Sequence, residues 1–150
     1  MSGTLDGGAE PVFRLVYRSA VRILHDRRRE ALADIFEVAR WKNDGLGITG
    51  ALLVWQDAFV QVIEGEESVV RNLYGAIHAD PRHDHVVLLE AGPAPERVFG
   101  GWSMARVGND GGDDIPVETD REAARTEPRP GATRQNTMLD RMREYARTAA

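Results

Sequence analysis

The chain has no cysteine among its 150 residues, so disulfides, thiolate metal sites and cysteine nucleophiles are excluded. It has no apolar run near the ~18 residues that a membrane-spanning helix requires. Its opening, Met1 to Glu10, lacks the charged-then-apolar layout of a secretion signal. Positive charge is not in excess either: the formal net charge is −5, which argues against gripping a phosphodiester backbone. These absences predict a cytoplasmic protein that engages neither nucleic acid nor membrane. His25, His78, His83 and His85 do not fall at metal-ligand spacing, so no metal site is expected. Gly45, Gly47 and Gly50 lack the spacing and the strand-then-helix context of a dinucleotide fingerprint.

What is present is a regular alternation of apolar and polar residues. Val12 to Tyr17 alternates as a strand. Leu32, Ile35, Phe36 and Ala39 then fall at helical spacing, with Asn43 at the end of the buried stripe. Gly45 and Gly47 break that helix. Two apolar runs follow, 47–54 and 59–65, joined through Gln56 and Asp57 by a hairpin turn and therefore adjacent and antiparallel. Ser68 is placed to cap a second helix whose Val69, Leu73, Ala76, Ile77 and Asp80 share a face and which Pro81 stops. A fourth strand is expected over His85 to Glu90 and a fifth over Gly101 to Val107, with Trp102 and Met104 on one face because their spacing is two.

The order βαββαββ predicts an α+β sandwich of the ferredoxin-like kind, a five-stranded mixed sheet with two helices on one face. Val16, Val54, Val60 and Val62 are then left on the other face and need a cover. Met138, Leu139, Met142 and Tyr145 form an apolar stripe on a C-terminal helical extension that can supply it, on its own chain or on a second subunit. The expected organisation is a flexible N-terminus over 1–10, a domain over 11–108, a Gly/Asp/Pro-rich flexible linker over 109–133 and a docking helix over 134–150.

One residue breaks the apolar pattern of the second run. Alternation puts Gln61 on the face of Phe59 and Ile63, inside the core, where an unpaired polar group costs about 1–3 kcal/mol. A polar partner is therefore required. The acids Glu64, Glu66 and Glu67 read as a solvated helix start, which suits the helix dipole, rather than as a paired-carboxylate site.

Six blocks in order resemble the BLUF family of blue-light sensors that bind FAD: Tyr17-Arg18-Ser19, Arg40-Trp41-Lys42-Asn43, Gly47-Ile48-Thr49-Gly50, Phe59 to Gly65, Asp80-Pro81-Arg82-His83 and Phe99 to Met104. The resemblance runs from about Phe13 to Val107. It implies a flavin ring between the two helices, with Ile35 and Ile77 as its aliphatic walls, Asn43 fixing one polar edge, and Gln61 between the other edge and Tyr17. It further implies that Phe59, Asp80, Arg82 and His83 belong to the flavin site, and that Ser19, Trp102 and Met104 belong to the relay. Tyr17 and Gln61 are then the photochemical pair: light drives electron and proton transfer from Tyr17 toward the flavin, and the glutamine ends rotated or tautomerised.

Two departures bear on the cofactor. Lys42 stands where the family often has asparagine or histidine, and either reaches a phosphate or stays solvated. Ala76 stands where many relatives carry an arginine that holds the cofactor's tail, so FMN or riboflavin are possible besides FAD. The implied protein is a homo-oligomer that signals through a separate, unidentified protein partner and is not an enzyme. Two other readings of the same residues remain open: a non-photoactive binding or regulatory module, and a small ferredoxin-like oxygenase or isomerase using Tyr17 as an acid.

Overall fold

The computed structural model describes residues 12–21, 25–55, 58–81, 83–108, 115–116 and 132–147. Its sheet is built from β1 (Val12–Val21), β2 (Thr49–Trp55), β3 (Ala58–Gly65), β4 (His83–Ala94), β5 (Ala105–Gly108) and β6 (Ile115–Pro116). The strand order is β4-β1-β3-β2-β5-β6. The first four strands pair antiparallel, whereas β5 runs parallel to β2 and β6 parallel to β5. This is the expected α+β ferredoxin-like sheet, with β6 a two-residue addition inside the stretch read as linker.

Helices α1 (Arg28–Leu46) and α2 (Glu67–Ala79) cover one face of the sheet. Val70 of α2 packs on Phe13, Leu15, Tyr17, Ile48 and Ile63, and Leu32 and Phe36 of α1 pack with Leu52, Phe59 and Met104. The third helix, α3 (Ala132–Arg147), packs on the opposite face, where Met138, Met142 and Ala146 meet Val16, Leu53, Val60, Val62 and Phe99. Between these layers β3 is buried along its whole length.

Backbone geometry explains two glycines. Gly47 sits at φ 69°, a left-handed conformation open to glycine without strain, and closes α1. The Gly47 amide bonds to Asp44 O at 3.4 Å and the Ile48 amide to Asn43 O at 2.9 Å, the paired bonds of a Schellman cap. That cap fixes the last turn of α1 and with it Asn43. At Gly50 a side chain has no room, because a Cβ there would stand 2.0 Å from the carbonyl oxygen of Val62.

Several expectations are corrected. Val54 lies on the helix face, packed against the α1 cluster, because β2 and β3 pair with Val54 opposite Phe59. α2 has Glu66 rather than Ser68 at its N-cap position, and Ser68 Oγ instead donates to Glu66 Oε1 at 2.7 Å. The helix ends before Pro81 because Asp80 is held extended at φ −75°, ψ 125°, the conformation that a following proline favours. The fourth strand runs four residues beyond Glu90, to Ala94, and the fifth begins only at Ala105. Trp102 and Met104 therefore precede β5, in a loop whose turns are set by bonds from Trp102 N to Phe99 O and from Gly50 N to Trp102 O. They do not share a face: Met104 is 1% exposed and Trp102 36%.

Candidate functional site

Tyr17 and Gln61 are opposite residues in the β1–β3 ladder, so their side chains leave the sheet side by side on its helix face. The Tyr17 hydroxyl donates to Gln61 Oε1. Next to Tyr17 the β1–β4 ladder slips by one residue, with Val16 opposite Glu90 and Tyr17 opposite Leu88, a bulge that locally re-aims β1. The Tyr17 ring lies 5.6 Å from that of Tyr74 on α2. Burial, and then the neighbouring Tyr74 and Asp80, push the Tyr17 phenol well above its ordinary value of 10. Tyr17 is thus a neutral hydrogen-bond donor across the physiological range.

The other end of the Gln61 amide meets the loop before β5. Its Nε2 donates to the Met104 sulfur at 3.5 Å. Two α1 side chains hold the same loop by its backbone: Asn43 Nδ2 donates to Ser103 O at 2.8 Å, and Arg40 Nε to Met104 O at 3.0 Å. The buried amide expected from alternation therefore has its polar partner in Tyr17 and a soft one in Met104.

Above this row, α1 and α2 diverge and leave a cavity of about 310 Å³, within the range typical of small-molecule sites. Its floor is Tyr17, Leu52, Gln61 and Met104, its α1 wall includes Ile35, Ala39, Lys42 and Asn43, and its α2 wall Leu73, Ala76, Ile77 and Asp80. Lys42, Leu73 and Ala76 also line a wider outer cleft of about 740 Å³, bounded by Trp41, Asp44, Leu46, Val69 and Asn72. An apolar slot lined by two carboxamides, with a broader cleft sharing part of its wall, suits a flat aromatic ring with a polar edge and a tail.

The cavity thus brings together Tyr17, Ile35, Lys42, Asn43, Gln61, Ile77, Asp80 and Met104. Phe59 does not line it: fully buried opposite Val54 and Ser19, it fills the core beneath α1 with Leu32 and Phe36. Ser19 is buried one alternation beyond Tyr17 on β1, and Trp102 lies at the surface. Arg82 is outside the described residues, and of His83 only the backbone, opposite Val21, is described. Among the described residues no acidic or histidine cluster could hold a metal ion, and no helix is long and apolar enough to cross a membrane.

Three neighbours escaped sequence reasoning. Leu52 could have been found, because adjacent antiparallel pairing of the two apolar runs sets it opposite Gln61. Tyr74, on α2, could not, since its contact with Tyr17 depends on how the helix crosses the sheet. Glu64 does not belong to a solvated helix start: it is 0% exposed, the last but one residue of β3, and accepts from the Val98 and Phe99 amides. Only Glu66 and Glu67 are solvated acids at the start of α2, Glu67 pairing with Arg71 at 2.8 Å.

The family model described as "Sensors of blue-light using FAD", BLUF, matches residues 12–105. The photoactivated adenylate cyclase subunit alpha of Euglena gracilis is 38% identical over 104 residues, covering 69% of this chain and 10% of that protein. The blue light- and temperature-regulated antirepressor BluF of Escherichia coli (strain K12) is 37% identical over 90 residues, covering 60% of this chain and 22% of that protein. The solved structure of BlsA in its photo-activated state superposes with a TM-score of 0.64 at 32% identity, over 75% of this chain and 74% of that one. The chain spans about a tenth of the length of the first of these curated relatives.

Proposed function

The chain belongs to the BLUF family, a family of flavin-binding sensory modules, and from that premise we propose that it is a blue-light photoreceptor whose switch is the Tyr17–Gln61 pair. The observation that carries this reading is the direct bond from the buried Tyr17 hydroxyl to Gln61 Oε1, at the floor of a slot between two helices. A bound flavin supplies absorption of blue light and a ring able to accept an electron. Ile35 on α1 and Ile77 on α2 would flank that ring, and the Asn43 and Gln61 carboxamides would serve its polar edges. Lys42 and the wider cleft would hold the cofactor's tail, and Asp80 would bound the α2 side. FAD is the flavin proposed, following the family's description.

In this mechanism Tyr17 would serve as the electron and proton donor, and Gln61, whose Oε1 accepts the Tyr17 hydroxyl, would be the route of the proton. At the end of the cycle Tyr17 would again be the neutral phenol and the Gln61 amide would be rotated or tautomerised. A rotated amide presents oxygen where Nε2 had donated, so the contact with Met104 changes character. Met104, Ser103 and Trp102 then carry the change to the surface, with Ser19 behind Tyr17 as part of the same relay. The output is passed to a separate protein partner in the cytoplasm by a homo-oligomer.

A dark-minus-lit absorption spectrum of the purified protein tests the reading. A yellow protein whose flavin band shifts to the red under blue light and reverts in the dark is expected. A colourless protein that takes up no flavin would instead be the non-photoactive module, and turnover of a substrate without light would identify an enzyme.

A further inference from the structure

Among the described residues Glu64 is the one buried side chain that carries a formal charge, and the photochemical reading gives it no task. Its carboxylate accepts from the backbone amides of Val98 at 2.6 Å and Phe99 at 3.0 Å. It also accepts from Thr49 Oγ1 on β2 at 3.0 Å and from Arg14 on β1, through Nε and Nη2, at 3.3 Å. The same two strands grip the loop a second time. Arg14 Nη2 donates to Glu96 O at 2.8 Å, and Arg97 Nη1 donates to Thr49 Oγ1 at 2.9 Å and to Glu64 O at 3.3 Å.

The loop from Glu96 to Met104 is therefore clamped near its start by Glu64 and laid at its far end on Gln61, and both belong to β3. Three residue steps along β3 separate the two contacts by roughly 10 Å. Between them Phe99 is driven into the α3-side core, and the Trp102 carbonyl is tied to the Gly50 amide. With its root on the wholly buried β3 and its last residues held by Asn43 and Arg40, the loop lays the Met104 sulfur beside Gln61. We propose that Glu64 is a positioning residue of the photochemical switch: by clamping the root of this loop it sets Met104 against Gln61 and so resists rotation of the amide. The proposal rests on the photoreceptor reading above.

Two variants test it, each alone and combined with Met104→Ala. Glu64→Gln replaces one acceptor oxygen by a donor that faces donors. Val98→Pro deletes the amide at 2.6 Å without touching the carboxylate, and decides the matter if Glu64→Gln does not fold. Recovery of the dark spectrum after illumination is expected to be about tenfold faster in either variant, the scale of one charge-assisted hydrogen bond. In the Met104→Ala background neither change should alter recovery further. Amide hydrogen exchange at Gly50, whose acceptor is the Trp102 carbonyl, should rise in the variants. Unchanged recovery in both variants overturns the proposal while leaving the photoreceptor reading in place. So does an equal acceleration with and without Met104, which would mark Glu64 as a general stabiliser. A parent protein without any reversible shift overturns the reading and this proposal together.

Discussion

Tyr17 and Gln61 face each other across the β1–β3 ladder, the phenol donating to the amide oxygen while the amide nitrogen reaches the Met104 sulfur. A single carboxamide is thereby shared between a candidate electron donor and a loop that leads to the surface. Rotation of one side chain about its last torsion exchanges donor for acceptor at both contacts, so the pair has two discrete arrangements rather than a continuum.

Tyr17→Phe removes the donor while keeping the ring against Tyr74. Flavin should still copurify, and the reversible red shift should vanish from the dark-minus-lit spectrum. Gln61→Leu should likewise abolish the shift with the fold retained by circular dichroism. A normal photocycle in either variant would remove that residue from the mechanism.

Alkaline stability should depend on Tyr17. Its folded-state phenol is pushed above the ordinary value of 10 by burial, so its contribution is complete below pH 10. Above that pH the unfolded chain sheds the proton and the folded chain keeps it. Unfolding free energy should then fall by up to about 1.4 kcal/mol per pH unit on this account. Tyr74 and Tyr145 are shifted upward as well, each chiefly by burial, and add to the same trend. Denaturant titrations at pH 8 and 11 should show a smaller loss in Tyr17→Phe than in the parent; equal losses would refute the assignment.

Gly50→Ala places a methyl group against the Val62 carbonyl, at 2.0 Å before relaxation. Neither backbone can retreat without breaking the β2–β3 ladder, so a loss of about 1–3 kcal/mol or more is expected in chemical denaturation. Because the same strand carries Leu52 on the cavity floor, flavin occupancy should fall with it.

α3 covers Val16, Leu53, Val60 and Val62, and its Arg141 and Tyr145 both bond to Glu90 on β4, Arg141 at 2.9 Å. Met142→Ala should destabilise by about 2–5 kcal/mol, since the side chain is fully buried. Deleting the residues after Thr133 should change the size-exclusion profile and increase binding of a hydrophobic dye while leaving the flavin difference spectrum nearly intact. A truncated chain with the parent's elution and dye response would show that this helix is dispensable as a cover.

Much of the site was legible along the chain because it depends on short-range periodicity. The polar Gln61 among Phe59 and Ile63, the stripe ending in Asn43, and the aliphatic positions Ile35 and Ile77 all follow from the two periods of strand and helix. Val54 was assigned to the wrong face because alternation fixes parity within a strand, whereas the pairing of β2 with β3 fixes which parity faces the helices. Trp102 and Met104 were read as strand residues because apolar spacing of two also occurs in a loop whose turns are imposed by Gly50 and Asn43. Glu64 was read as solvated because its local neighbours are acids, and its donors come from positions 14, 49, 98 and 99.

By itself the amino-acid sequence determined the order of strands and helices and a polar residue in an apolar strand, since both are patterns within a few consecutive residues. The tertiary structure alone decided that Met104 rather than Trp102 touches Gln61, that Glu64 is a buried clamp, and that α3 closes the far face. Those facts rest on groups brought together from distant parts of the chain, where position is set by the summed packing of the whole sheet and not by any local preference.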